Sequence, residues 1–183
     1  YKVPVRVLSS SNDGSGTLIS LKDESMENAL VSGIAFQKDQ VKFTLHSVGD
    51  IPGTAFKILG PISDAEIEVD VIVQNVSIDD KTDFTFTVSN EDSDSVEKIL
   101  EDLKTEVDYK KLIINSDIAK VSLVGTGMRS QAGVASKAFR ALSENNVNIQ
   151  IISTSEIKIT MVIDESLIDK AVNVLHEEFE LEK

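Results

Sequence analysis

The chain carries one pattern twice at a fixed spacing: residues 41–74 align with residues 121–154 without a gap when 80 is added to each number. Under that shift Asp50-Ile51-Pro52-Gly53 falls on Ser130-Gln131-Ala132-Gly133, Lys57 on Lys137, Ser63 on Ser143, and Glu68-Val69-Asp70 on Asn148-Ile149-Gln150. The apolar positions coincide as well, with Val41, Phe43, Ile67, Val69 and Val71 meeting Val121, Leu123, Val147, Ile149 and Ile151. Two copies of a unit this long specify a pair of similar small domains, not a solenoid of short repeats.

Composition narrows what such a pair can do. A chain of 183 residues that is 41% hydrophobic has enough apolar material for two ordinary cores. It contains no cysteine, which removes thiol catalysis, disulfides and cysteine-ligated zinc and fits a cytoplasmic protein. With a formal charge of -13 and a pI near 4.5, binding to nucleic acid or an anionic membrane would need a local basic patch, and none is seen. No stretch approaches the roughly 18 apolar residues of a membrane span. Residues 1–10 lack the apolar core of a secretory signal. Because the sequence opens on Tyr1 in place of Met, a piece of a longer polypeptide is expected.

Within the first copy, residues 41–46 read as a strand and 52–63 as a helix, with Pro52 at a first-turn position where its missing N–H costs nothing. Residues 67–74 read as the next strand. A turn at Asp79-Asp80-Lys81 then leads into the alternating Thr82, Phe84, Phe86 and Val88. Val96, Ile99, Leu100 and Leu103 recur at helical spacing over 93–103, with acidic residues crowding the first turn, and 111–115 closes the unit as a strand. The order β-α-β-β-α-β is ferredoxin-like, an α+β arrangement with two helices on one face of an antiparallel sheet. The second copy repeats it at 120–125, 132–144, 148–153, 157–163 and 165–179, and then lacks its fourth strand.

Residues 30–36 are apolar and have no place in the first unit. We therefore predict that they supply the missing strand, so that the first domain (41–116) is inserted in the second (30–36 plus 117–183), behind a leader of residues 1–29. In the leader, 3–8 alternates as a short strand, and 9–16 is a Ser/Gly/Asn/Asp loop.

Catalytic chemistry finds little purchase. His46 and His176 are far apart and lack ligand-spaced partners, so both read as structural or solvated. Gly125-Thr126-Gly127 begins a dinucleotide fingerprint, but Ser130 stands at its last glycine position and the fold expected here is antiparallel. No phosphate-binding Gly-Lys-Ser/Thr loop occurs. The carboxylates at Glu91, Asp92 and Asp94, and at Glu177, Glu178 and Glu180, read as solvated helix ends rather than metal ligands. A small phosphatase of this fold would need an anion-binding arginine in a strand-to-helix loop, and Arg129 lacks the glycine-rich setting. What remains is the duplicated strand-loop-helix element. Gly53 and Gly133 either permit a tight turn or expose first-turn N–H groups to a carboxylate-sized anion.

Residues 124–135 (Val-Gly-Thr-Gly-Met-Arg-Ser-Gln-Ala-Gly-Val-Ala) and 148–157 (Asn-Ile-Gln-Ile-Ile-Ser-Thr-Ser-Glu-Ile) closely resemble the second ACT domain of aspartokinases. Residues 48–53 (Val-Gly-Asp-Ile-Pro-Gly) and 72–76 (Ile-Val-Gln-Asn-Val) are similar to the first ACT domain of those enzymes. The leader, with 3–7 and 16–19, resembles the tail of their catalytic domain. The nucleotide and aspartate motifs of that domain are absent.

The resemblance implies an amino-acid-binding regulatory region that mediates feedback inhibition by lysine, threonine or both in aspartate-family biosynthesis. It implies an inserted first ACT domain, a homodimer packed through ACT domains, and a kinase domain or catalytic subunit as partner. No cofactor is implied in this chain, ATP and Mg belonging to the parent kinase domain. Effector residues carried over by position are Asp50, Ile51, Pro52, Gly53, Ala55 and Gln74 with Asn148, Ile149 and Ser155. A weaker pseudo-equivalent site uses Ser130, Ala132 and Gly133 with Glu68, Val69 and Asp70. Backbone amides near Gly53 or Ile149 would hold the effector carboxylate and Asp50 its ammonium, with Gln74 or Ser155 reading the side chain. A separately made noncatalytic subunit that assembles with a larger kinase subunit is the alternative.

Overall fold

The computed structural model describes residues 5–8, 16–19, 31–75, 79–125 and 133–181. A short antiparallel hairpin of β1 (Val5–Val7) and β2 (Thr17–Ile19) leads in. Residues 1–4, 9–15 and 20–29 of the leader, and residue 30 after it, lie outside the described residues.

Two long strands organise the rest. β3 (Gly33–Gly49) and β6 (Lys111–Val124) pair antiparallel from Gly33 opposite Val124 to His46 opposite Lys111. On one half of this ribbon β5 (Lys81–Ser89) adds to β3, and β4 (Asp70–Gln74) adds to β5. On the other half β8 (Lys158–Asp164) adds to β6, and β7 (Ile149–Thr154) adds to β8. The hydrogen-bonded order is β4-β5-β3-β6-β8-β7, so each half has the ferredoxin-like sequence of strands. The segment 33–37 pairs with 120–124, on the strand of the second unit.

Each half buries one sheet face under its own helices. In the first, α1 (Thr54–Asp64), α2 (Ser93–Asp102) and the short α3 (Lys104–Val107) cover Val41, Phe43 and Leu45 of β3 and Phe84, Phe86 and Val88 of β5. In the second, α4 (Val134–Glu144) and α5 (Ile168–Glu178) cover Ala119, Val121 and Leu123 of β6 and Ile159, Met161 and Ile163 of β8. The inward residues sit at every second position, as a half-buried strand requires. A single 3-10 turn, Asn90–Asp92 in one copy and Glu165–Leu167 in the other, precedes the second helix of each unit.

Several sequence expectations change in detail. Residues 30–36 and 41–46 are expected as separate strands, as are 111–115 and 120–125, and the structure joins each pair into one, 33–49 and 111–124. The polar run Gln37-Lys38-Asp39-Gln40 between the first two is a bend: the register shifts on both sides of Gln40, and Asp39 takes φ 56°. The strand expected at 67–74 begins only at Asp70. Glu66 at φ 59° first closes α1, with the Ile67 N–H donating to the Ile62 carbonyl at 3.2 Å. The first helix starts at Thr54 and not at Pro52, because Gly53 at φ 94° is left-handed and cannot belong to it.

The faces without helices meet between the units. Val71 of β4 packs with Ile118 of β6 and Val162 of β8, and Val73 and Ile151 lie against them. Two lysines cross this contact. Lys120 Nζ reaches Asp70 Oδ2 at 2.6 Å, and Lys42 Nζ donates to Gln150 Oε1. At the ribbon bend Lys38 pairs with Asp169 at 3.1 Å, and the Asp39 N–H donates to Glu165 Oε2 at 3.0 Å.

Candidate functional site

The two strand-to-helix turns have the same backbone. Gly53 (φ 94°, ψ -7°) caps α1 and Gly133 (φ 100°, ψ -16°) caps α4, and neither helix receives a side-chain cap. A Cβ at either glycine would meet nothing within 4 Å, so the left-handed φ, not lack of room, is what calls for glycine. Each glycine carbonyl accepts the first helical bond, from Lys57 N–H at 2.9 Å and from Lys137 N–H at 2.8 Å. First-turn donors of a helix have no acceptor within it, and the helix dipole favours negative charge beside them.

The first turn is braced from both sides. Thr54 Oγ1 donates to the Gly49 carbonyl at 2.9 Å, and its N–H donates to the Ile51 carbonyl at 3.2 Å. The Asp50 N–H donates to the Asp80 carbonyl at 3.0 Å, tying the loop to the β4–β5 turn. Gln74 at the end of β4 then donates from Nε2 to Asp50 Oδ1 at 3.1 Å. The structure thus brings Asp50, Gln74 and the Gly53 turn together, with Ile51 exposed beside them and Pro52 and Ala55 on either side of the glycine.

The second group lies on the other unit. Asn148 and Ile149, at the start of β7, line a groove of about 490 Å³ with Phe139, Ser143, Asn146 and Val147. Sequence reasoning did not select Phe139, Ser143, Asn146 or Val147. Their signal was present all the same, since Phe139 and Ser143 are four apart on one helix face and Ser143 is the repeat partner of Ser63. Ser155 is away from the groove, in the β7–β8 turn, where its Oγ accepts from Lys158 N–H at 3.1 Å. The β4 and β7 edges stand at opposite ends of the strand order, so the Asp50 group and the Asn148 group occupy different units of the chain.

Of the pseudo-equivalent group, Ser130 and Ala132 lie outside the described residues. Glu68 and Val69 precede β4. The Asp70 side chain turns toward the contact between the units, where Lys120 holds it. Burial raises the Asp70 carboxyl, but the hydrogen bond from Lys120, that from the Val71 N–H and the charges of Lys120 and Lys158 outweigh it and leave it below the usual carboxylate value. Burial pushes the Lys42 ammonium below its ordinary value.

Elsewhere His46 Nδ1 meets Asp83 Oδ1 at 2.6 Å on the surface. Glu178 is bound to α4 through Arg140 Nη2 at 3.0 Å. Among the described residues no cluster of His, Asp and Glu is arranged to hold a metal ion, and no helix is long and apolar enough to cross a membrane. A polar cavity of about 750 Å³ at the ribbon bend, lined in part by Lys38, Asp39, Asp117 and Glu165, contains none of the residues selected from sequence.

Comparison with known proteins places these units. ACT domain models match residues 45–108 and 121–179. The chain is 55% identical over 183 residues to an aspartate kinase of Pseudomonas fluorescens, a match that takes in 100% of this chain and 44% of that protein. It therefore spans under half the length of the curated relatives it matches. Among solved structures, the aspartokinase alpha and beta subunits share 46% identity, covering 82% of this chain and 99% of that one with a TM-score of 0.77. The ligand-free regulatory subunit of aspartate kinase from Thermus thermophilus shares 32%, with the same coverage and a TM-score of 0.78.

Proposed function

This chain belongs to the aspartokinase family as its tandem ACT-domain regulatory region, and from that premise we propose that it binds lysine, threonine or both and transmits feedback inhibition to a kinase domain. The observation that carries the reading is the Asp50–Gln74 bond beside the left-handed Gly53 turn. It sets a carboxylate, suited to an ammonium, next to first-turn N–H groups suited to a carboxylate. A free amino acid presents both charges, and few other small metabolites do. The groove at Asn148 and Ile149 supplies apolar and amide surface for the opposite wall.

A second copy completes the site in this reading. Ile51, Phe56 and Ile72 of the first unit are 60%, 79% and 51% exposed. Three apolar side chains on one loop, one helix and one edge strand support a homodimer through ACT domains. Regulation follows if the effector binds one arrangement of the paired units better than another, a differential of about 1–3 kcal/mol being enough for strong control. The kinase partner, with its ATP and Mg, and a cytoplasmic location belong to the same proposal. One variant of it is a noncatalytic subunit made separately, which the near-complete coverage of the Thermus regulatory subunit supports. The mass of the native polypeptide separates the two.

Calorimetry with lysine, threonine, methionine and aspartate tests the reading. Binding of at least one is expected, weakened about tenfold in Asp50→Ala. Indifference to all four overturns amino-acid binding, and an unchanged affinity in Asp50→Ala overturns the assignment of Asp50.

A further inference from the structure

β4 contains an unusual backbone. Among the described residues with positive φ, Val71 at 43° is the one with a β-branched side chain, a type for which this region is a steric outlier. It lies in a bulge: Asp70 pairs with Thr87 and Val73 with Thr85, so three steps on β4 oppose two on β5. β7 has its own bulge slightly nearer the strand start, between Ile149 and Ile151, with no positive φ there. The strain is therefore particular to the first unit.

Three contacts hold Val71 in this conformation, and two of them come from the other unit. Its N–H donates to Asp70 Oδ1 at 2.8 Å, Asp70 Oδ2 accepts from the buried Lys120 at 2.6 Å, and its side chain is buried against Ile118 and Val162. Thr87 Oγ1, from β5 beside it, donates to the Asp70 carbonyl at 3.0 Å. Parting the two units would remove the ion pair and the apolar cover together. An extended Val71 would then absorb the extra residue, and a slip of one residue turns each side chain of that strand end to the opposite face.

We infer that the Asp70–Val71 bulge is a strain-loaded element which couples closure of the two units to the backbone at residues 68–70. The coupling requires no ligand and does not rest on the preceding reading.

The unliganded chain tests the coupling by amide hydrogen exchange on β4. Lys120→Met is expected to speed exchange across β4 about tenfold, and Asp70→Asn to act alike. Val71→Gly accepts the left-handed φ without strain, so in that background Lys120→Met is expected to change exchange less than about twofold. Val71→Ala removes the same methyl groups but keeps the strain, and there the roughly tenfold effect is expected to persist. Equal effects of Lys120→Met in all three backgrounds overturn the strain coupling.

Discussion

The two units share a frame and differ in what fills it. At the centre of the first sheet Phe43 stacks on Phe86 with ring centroids 5.7 Å apart, where the second sheet pairs Leu123 with Ile159. At the helix starts Gly53 and Gly133 have nearly the same φ, but the residue after each is Thr54 in one and Val134 in the other. Asp70 meets a lysine of the opposite unit, and so does its counterpart Gln150, yet one contact is an ion pair and in the other the ammonium donates to an uncharged amide oxygen. After duplication the backbone requirements stayed, because they fix the turn. The polar groups, which face either a ligand or the other unit, diverged.

The comparison is broken most severely through the cores. Phe86→Ala is expected to cost about 3–5 kcal/mol and Met161→Ala about 2–5, since deleting a buried aromatic ring leaves the larger cavity. Urea unfolding measures both, and a costlier Met161→Ala would show that the second core is the tighter one. The shared turns come next. Gly53→Ala and Gly133→Ala are each expected to cost about 1–2 kcal/mol, because a Cβ is strained at φ near 100° even with open space around it. Thermal unfolding of the two variants should agree; a large gap would mean that the turns are not equivalent after all.

A smaller change makes one turn imitate the other. Thr54→Val copies Val134 and removes the bond to the Gly49 carbonyl, at an expected cost of about 0.5–1.5 kcal/mol, read from the same unfolding curves. The smallest effect distinguishes the two lysine contacts by pH. The Asp70 carboxyl is lower in the folded chain than in the unfolded one, so its contribution is complete above the ordinary carboxylate value and is lost as pH falls through the folded value. The side chain is 48% exposed, which limits the effect to on the order of 1 kcal/mol or less. Asp70→Asn should flatten that part of the stability profile, while Gln150→Ala should leave its slope unchanged.

Much of this architecture was legible because period-two and helical spacing survive in both copies, and each copy checks the other. The missing strand could be assigned by counting, since residues 30–36 had nowhere else to go. The continuity of β3 and β6 was not legible. Gln37-Lys38-Asp39-Gln40 and Ser116-Asp117 carry the composition of a loop, and only tertiary pairing keeps the strand running through them. The packing of the helix-free faces was hidden for a related reason. Lys42, Asp70 and Lys120 are charged residues on strands, and nothing local reveals that each finds its partner more than 45 residues away. Selecting Asp70 from the family pattern identified a position of interest but not its side chain's direction. The left-handed Val71 was beyond any sequence rule, because propensity places a valine there in regular strand.

The shared ribbon also bears on how the polypeptide emerges during synthesis. Residues 33–37 are made ahead of the first unit but find their partner only when 120–124 appear, after every strand and helix of that unit has been made. The first unit can therefore close while the start of β3 is still an unpaired edge. The completed unit then brings the waiting segment and its late partner side by side at the bend, turning a long-range pairing into a local one. Gln37, Lys38 and Asp39, which obscured the strand in the sequence, set a polar bend between the finished unit and the apolar segment that waits.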